Sequence, residues 1–523
     1  MGRAVDVVRE TERKYEAEGS RRLPDPSDLL GLDAGSGAER FQLKAVYFDT
    51  PDLRLLRARV TLRRRVGGPD EGWHLKLPAG DESRDEHRLP LSAGRRTEPP
   101  AELAALVRVH SRGAALRPVA QLDTTRRRWM LTDAEGHELV EVVEDDVRAH
   151  TMGAETTALS WREIEVELAE YGRVELLDRI EEKLAGVGVR RSESKSKLGR
   201  LLADRLAPGP PPRAKSKPGS TKLKRGSAGA VVLGYVREQA SQIRAQDPLV
   251  RRDAPDAVHQ LRVAARRMRS ALQAYGKVIE RDATRALTDE LKWIGGELGG
   301  ARDAEVIEER LTELIGGLPG ELVMGPVSAL VTRTMSRRRS DGQAAAIAAL
   351  DSDRYLALHD AIDALLEHPP LTAKATRSAR RELPRQLGRA WRRLDTRMAA
   401  AEALEPGPQR DAALHETRKA GKRLRYAAEI AQPAVGRPAK RLKRRAKTLH
   451  KELGDHQDAV VAKAVIRDLA VQAHLDGGNG FTFGVLHGLE SERADRAERS
   501  LPDTWKKLSG RAVRKWLHVR SVR

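Results

Sequence analysis

Cysteine is absent from all 523 residues, which excludes disulfides, thiolate metal sites, iron–sulfur clusters and a cysteine nucleophile. Aromatic residues are scarce, at 7 Trp, 7 Tyr and 4 Phe, too few for extensive base-stacking platforms. No apolar run reaches the length of a membrane span, and the opening MGRAVDVVRETERKYEAEG lacks the apolar centre of a secretory signal. Asp6 stands where a myristoylation signal carries Ser or Thr, so Gly2 is not read as a lipid anchor. The expected address is the cytoplasm, with no membrane partner.

Negative charge is also in deficit. Lys and Arg number 96 against 76 Asp and Glu, a formal net charge of +20, which points to an anionic partner such as nucleic acid, a phosphate polymer or acidic lipid without choosing among them. Apolar residues at 40% and charged residues at 33% supply real cores under an unusually polar surface. At about 150 residues per domain, the length predicts two large domains or three ordinary ones.

The chain changes texture once. Residues 207–226, APGPPPRAKSKPGSTKLKRG, have the composition of a solvated basic linker. Before it, FQLKAVYFDT, RARVTLRRRV, GWHLKLPA and WREIEVELAE alternate with period two, predicting an antiparallel core of about eight strands, with helical patterns near 100–112 and 173–186. After it, DAVHQLRVAARRMRSALQAYGKVI and KRLKRRAKTLHKEL carry apolar residues three and four apart, predicting a nearly all-helical domain. Breaks are expected at GELG and GLPGELVMGP, and a loop at DGGNGFTF, 476–483.

The amino-terminal strands share one habit: a charged row accompanies an apolar row. Glu10, Glu12 and Lys14 fall on one strand face, as do Arg57, Arg59, Arg63 and Arg65 opposite Ala58, Val60 and Leu62. His74 and Lys76 oppose Trp73, Leu75 and Leu77; Arg126 and Arg128 oppose Trp129 and Leu131; Glu163, Glu165 and Glu167 oppose Ile164, Val166 and Leu168. A sheet with one wet face explains this pattern. So does a closed barrel whose polar rows converge on a water-filled bore.

ETERK at 10–14 resembles the ExExK motif of the CYTH family of triphosphate tunnel enzymes, and YFDTPDLRLLRARVTLRRR, GWHLKLP, TTRRRWML, EIEVEL and SKSKLGRLL resemble its successive strands. The resemblance covers residues 5–206 and implies an eight-stranded antiparallel tunnel that binds and hydrolyses triphosphate compounds with Mg2+ or Mn2+. By position it implies catalytic roles for Glu10, Glu12, Lys14, Lys76 and Lys197, phosphate binding by Arg63, Arg65, Arg126 and Arg128, and metal ligation by Glu10, Glu12, Glu165, Glu167 and Asp145. Lys195 shares the parity of Lys197, and Asp146 adjoins Asp145, so both registers stay open. A triphosphate needs closely spaced Lys and Arg donors, and magnesium needs hard oxygen ligands, which suits these rows.

The helical part repeats itself. HQLRVAARRMRSAL from His259 has a counterpart in HETRKAGKRLRYAA from His415, offset by 156, and ELGGARDAEV from Glu297 one in ELGDHQDAVV from Glu452, offset by 155. Two matches at nearly one offset imply two similarly built halves, each presenting a basic stripe. Neither histidine has a partner at metal-ligand spacing, and His450 and His456 flank KELGD without one. These segments resemble the signature helices of the CHAD family over residues 227–520, which implies binding of inorganic polyphosphate through His259, Arg262, Arg266, Arg267, Arg269, His415, Arg418, Lys422, Arg423 and Arg425. Arg302 matches an RD pair that the second copy replaces with Gln457–Asp458, and Asp303 and Asp458 are expected to cap helices or orient basic side chains rather than touch a polyanion.

The combined expectation is metal-dependent hydrolysis of inorganic triphosphate or short polyphosphate in the first domain, with polyphosphate capture in the second and association with polyphosphate bodies. The alternatives are an organic-triphosphate hydrolase or adenylyl cyclase, and a noncatalytic polyphosphate scaffold. Nucleic acid is the competing partner.

Overall fold

The computed structural model describes residues 6–17, 23–34, 37–80, 82–153, 156–206 and 223–517. Most of the expected linker, 207–222, lies outside the described residues. The chain divides into two compact units between residues 217 and 218.

The first unit is a closed antiparallel barrel. Its strands are β1 (Asp6–Ala17), β2 (Glu39–Asp49), β3 (Thr61–Val66), β4 (Gly72–Pro78), β5 (Ser83–Leu89), β6 (Arg117–Thr132), β7 (Glu138–Thr151) and β8 (Ala158–Leu168). They run in the order β5-β4-β3-β2-β6-β7-β8-β1, and pairing of β1 with β5 closes the ring. The short β9 (Val189–Arg191) extends the edge of β1. Period-two alternation decides inside from outside. Trp73, Leu75 and Leu77 pack outward with Leu62 and Leu89 against the helix Ala101–Leu106, and Trp129, Leu131, Ile164 and Val166 pack against the helix Val174–Gly186. Fully burying each such side chain contributes roughly 1.5–3 kcal/mol. The opposite parity lines the bore with charge.

The row that begins at Arg57 is shorter than the alternation suggests. Arg57 ends the short helix Arg54–Arg57, Arg59 has a left-handed backbone (φ 63°), and β3 begins only at Thr61. The cause is local: buried Asp49 accepts hydrogen bonds from the backbone N–H of Thr50, Leu55 and Leu56, and Thr50 Oγ1 accepts from Arg54 N–H. The segment after DTPD thereby winds one helical turn, Arg54–Arg57, before the strand starts.

Among its described residues, the second unit is built from helices joined by loops, with two isolated β-bridges. The counterparts identified by repetition are the helices Ala257–Ala274 and Pro408–Val435. The segments that follow differ: the first copy is broken at Leu298 into Arg285–Glu297 and Gly299–Gly316, whereas the second is the continuous helix Arg437–Leu475. The break falls among Gly295, Gly296, Gly299 and Gly300, and helix propensity is lowest at glycine. The DGGNGFTF loop is shorter than expected, since the next helix, Phe481–Leu508, already includes its last three residues. Tyr275 Oη donates to Ala427 O at 2.6 Å, tying the two halves together. Among the described residues no helix is long and apolar enough to cross a membrane.

Candidate functional site

Strand register assembles the bore row by row. Lys14 faces Glu165, Lys76 faces Glu86, Arg63 faces His74, and Arg126 faces Asp145, which in turn faces Glu163. These rows surround a cavity of about 220 Å³ whose lining includes Glu10, Glu12, Lys14, Arg63, Arg65, Lys76, Arg126, Arg128, Glu165, Glu167 and Lys197. Asp145 is fully buried behind that lining.

Two ion-pair networks hold the bore open. In one, Lys197 Nζ lies 3.0 Å from Asp145 Oδ2, 2.7 Å from Glu163 Oε1 and 2.9 Å from Glu165 Oε1. Arg126 adds a bidentate pair to Asp145 at 2.8 and 2.7 Å, and Lys14 pairs with Glu165. Burial opposes ionisation of Glu165, but Lys14, Lys197 and Arg126 hold its carboxyl well below the ordinary range. Of the two lysines that share a parity, it is Lys197 whose side chain reaches these carboxylates. Ser196 Oγ accepts from Gly199 N–H and starts the helix Lys197–Leu201, whose first side chain enters the bore while Lys195 stays exposed. Asp145 likewise faces inward, and Asp146 pairs with Arg162 at 2.8 Å.

The other network centres on Glu86, which sequence patterning missed. Lys76 pairs with Glu10 and lies 3.6 Å from Glu86, Arg63 lies 3.7 Å from Glu86, and His74 Nδ1 lies 3.0 Å from it. Burial keeps His74 neutral, its pKa pushed down to about 3, with Nε2 at 2.9 Å from Asp70 O. Because Glu86 is 1% exposed and shared by several cations, Glu86→Gln is expected to destabilise the barrel by about 3–5 kcal/mol, since it leaves buried charges unpaired. Chemical denaturation of the purified barrel variant against wild type measures this.

What remains is an imbalance of opposite sign on two walls. On one, the Nε atoms of Arg63 and Arg65 are buried without hydrogen-bond acceptors. Burial, with Arg63 and Arg126 nearby, pulls the Arg65 pKa down to about 9 even though Asp70 pairs with it. On the other, Glu12, Glu167 and Glu141 stand directly opposite one another on β1, β8 and β7. Like charges in register destabilise a sheet unless something bridges them. Glu12 has Lys14 at 3.1 Å and Glu141 has Arg128 at 2.8 Å, but Glu167 makes no ion pair among the described residues. Burial and Glu10 push its pKa up to about 8. The carboxylates expected to act alike therefore divide: Glu165 and Asp145 are neutralised by cations, whereas Glu167 is not.

In the helical unit the two basic stripes converge. Arg262 Nη1 lies 2.9 Å from Asp303 and Arg418 Nη1 3.4 Å from Asp458, equivalent pairs in the two halves. His415 interacts with Gln457, while its counterpart His259 feels Asp256 first and then Arg302, Arg266 and Arg262. Lys422, Arg418, Arg425 and Arg266 act electrostatically on His450, a residue to which sequence patterning gives no role. Burial and these cations push the His450 pKa down to about 2 and that of Lys422 to about 7. Arg423, with burial and then Arg393, Arg281 and Arg269 against it, falls to about 10. Arg267 differs from the rest: its guanidinium lies 3.6 Å from Glu429 and over the Tyr426 ring.

Comparison with known proteins agrees with this division. Residues 9–202 match the CYTH domain and residues 234–467 match the CHAD domain. The chain belongs to the proteins that join a CYTH triphosphate tunnel domain to a CHAD helical domain. Two uncharacterized proteins of Mycobacterium tuberculosis strains are each 37% identical to it over 523 residues, covering 97% of both chains. Among solved structures, PptA from Streptomyces chartreusis is 25% identical with a TM-score of 0.45, covering 54% of this chain and 99% of its own. The CHAD domain from the plant Ricinus communis is 23% identical with a TM-score of 0.40, covering 57% and 95% respectively.

Proposed function

We propose that the barrel hydrolyses inorganic triphosphate or short polyphosphate with a divalent metal, and that the helical unit binds inorganic polyphosphate. The observation that carries the first half is the opposed imbalance of the bore. Buried guanidinium donors without acceptors suit an extended phosphate anion, and the carboxylate row suits a hard cation. Mg2+ or Mn2+ fits Glu12, Glu167 and Glu141, with Glu10 adjoining, better than the Asp145–Glu163–Glu165 cluster, where the Lys197 ammonium already occupies the centre. Such an ion, when bound, neutralises charge on phosphoryl oxygens.

The chain's own residues supply the rest. Arg63 and Arg65 bind nonbridging oxygens and align the phosphates along the bore. Arg84, whose guanidinium donates to Lys195 O at 2.6 Å, holds the far end of the anion. Lys76, fixed by Glu10 and Glu86, offsets charge that develops on the leaving oxygen. Glu10, its carboxyl raised by burial, orients the attacking water and takes its proton. Lys14 and Lys197 keep Glu165 ionised and the wall in shape. The second half of the reading rests on two converging basic stripes, which offer a linear polymer many phosphate contacts at once.

One observation favours a second reading. A neighbouring cavity of about 960 Å³ combines Arg59, Arg84 and Lys195 with Leu56, Ala203 and Leu206, a wall that suits the organic part of an organic triphosphate. Incubating the protein with triphosphate, long polyphosphate, ATP and thiamine triphosphate, with and without Mg2+ or Mn2+, decides between them. Metal-dependent orthophosphate release from triphosphate is expected. Preferential turnover of an organic triphosphate favours the second reading, cyclic AMP with pyrophosphate a cyclase, and binding without turnover a scaffold.

A further inference from the structure

Three long helices of the second unit bring together side chains that neither the barrel chemistry nor the basic cluster uses. Asp411 lies in the first turn of Pro408–Val435, His456 midway along Arg437–Leu475 and Glu498 late in Phe481–Leu508. His456 is 1% exposed, and its Nε2 lies 3.2 Å from Asp411 Oδ1 and 3.2 Å from Glu498 Oε1. One donor atom from each of the three residues lies within 4.8 Å of the others.

A hydrogen-bonding account covers this arrangement poorly. Nε2 carries at most one proton and faces two carboxylates, and only the Glu498 approach has hydrogen-bonding geometry. Both separations exceed the roughly 2.7–2.9 Å of a charge-assisted N–H···O bond. They are also close to the edge of a tetrahedron around an ion with ligand bonds of about 2.0–2.1 Å, which is about 3.3 Å. An ion pair lies behind one ligand: Arg410 Nε is 2.9 Å from Glu498 Oε2 without hydrogen-bonding geometry, and Arg410 Nη1 donates to Leu404 O, while Oε1 is on the imidazole side. The carboxylate side chains remain 27% and 18% exposed, which gives an ion access and leaves water as a fourth ligand.

We propose that Asp411, His456 and Glu498 bind a zinc-type divalent transition ion that staples these three helices. One imidazole nitrogen and two carboxylates form a borderline donor set, which prefers zinc or cobalt over magnesium. The staple joins the helix carrying Arg418, Lys422 and Arg425 to the helix carrying His450, so it braces the basic cluster without touching it. The competing account is a hydrogen bond between His456 and Glu498 with no ion present.

The test uses the full chain, stripped with chelator and kept in excess Mg2+ so that hard-cation sites are filled. Saturating ZnCl2 is expected to raise Tm by about 5 °C, both in wild type and in the barrel variant Glu12→Gln. His456→Gln should lose that rise, one equivalent in a calorimetric zinc titration and the visible absorption of bound Co2+. If His456→Gln does not fold, Asp411→Asn and Glu498→Gln, at the more exposed ligands, should each weaken zinc binding by about 10-fold or more. No zinc-dependent rise in wild type, or an equal rise and stoichiometry in the ligand variants, overturns the site and leaves the His456–Glu498 hydrogen bond as its account.

Discussion

Replacing Glu167 with Gln is expected to lower metal-supported turnover by about 100-fold or more while leaving the barrel folded. Glu167 sits in register between Glu12 and Glu141 and makes no ion pair among the described residues, so its carboxylate is available to a cation and is not holding the wall together. Glu12→Gln and Glu10→Gln should act in the same direction. Glu165→Gln should differ in kind, because that carboxylate pairs with Lys14, Arg126 and Lys197, and its loss should appear first in stability. Steady-state kinetics across a magnesium titration, paired with thermal melts, separate the two. Equal metal activation in wild type and a folded Glu167→Gln protein would sink the assignment of the metal side.

The same residue sets a pH dependence whose sign follows from proton linkage. The Glu167 carboxyl moves from its ordinary 4.5 to about 8 in the folded chain. Between those values the native state holds a proton that the unfolded state has lost, so its contribution to stability falls as pH rises from about 4.5 to 8. A cation competes with that proton, hence apparent magnesium affinity should strengthen as pH rises towards 8 and proton release should accompany binding. Both trends should vanish in Glu167→Gln.

Sequence alternation reveals the barrel because each strand pairs a charged row with an apolar one, and eleven of the bore's side chains, from Glu10 to Lys197, follow from parity and motif position. Glu86 escapes because β5 reads SRDEHRL, with a single apolar residue in seven, so hydrophobic periodicity is silent there. Glu141 escapes for another reason: its meaning arises from the register of β7 with β8, which no single strand encodes. Arg57 and Arg59 have the right parity, yet the Asp49 hydrogen bonds divert the chain before the strand begins. In the helical half the repeat offset reveals two equivalent stripes. Their convergence on His450 depends on tertiary packing, as does the meeting of Asp411, His456 and Glu498 from three helices.

Replacing Arg266, Arg418, Lys422 and Arg425 together with Gln is expected to weaken long-chain polyphosphate binding by about 100-fold or more at moderate salt and to flatten the salt dependence. Each phosphate contact contributes roughly 0.7–0.9 to the slope of log affinity against log salt, so four lost contacts should reduce it by about 3. Hydrolysis of free triphosphate should be unaffected. The cluster is held against its own repulsion: burial, then Arg418 and Arg266, lower Lys422 to about 7, with Asp458 the one group among its principal influences that acts the other way besides which Arg425 adds to the repulsion. Between about 7 and its ordinary 10.5, the native state carries fewer protons than the unfolded state. The charged cluster therefore costs stability below pH 7, and that cost is relieved as pH rises. Two consequences separate binding from folding. The quadruple variant should melt higher than wild type at pH 7, and wild-type binding should tighten from pH 8.5 to 6.5 with proton uptake, because a polyanion favours the charged lysine. If the folded variant keeps wild-type affinity and salt slope, the converging helices are not the polyphosphate surface; if only the pH dependence persists, Lys422 is not the group that takes up the proton.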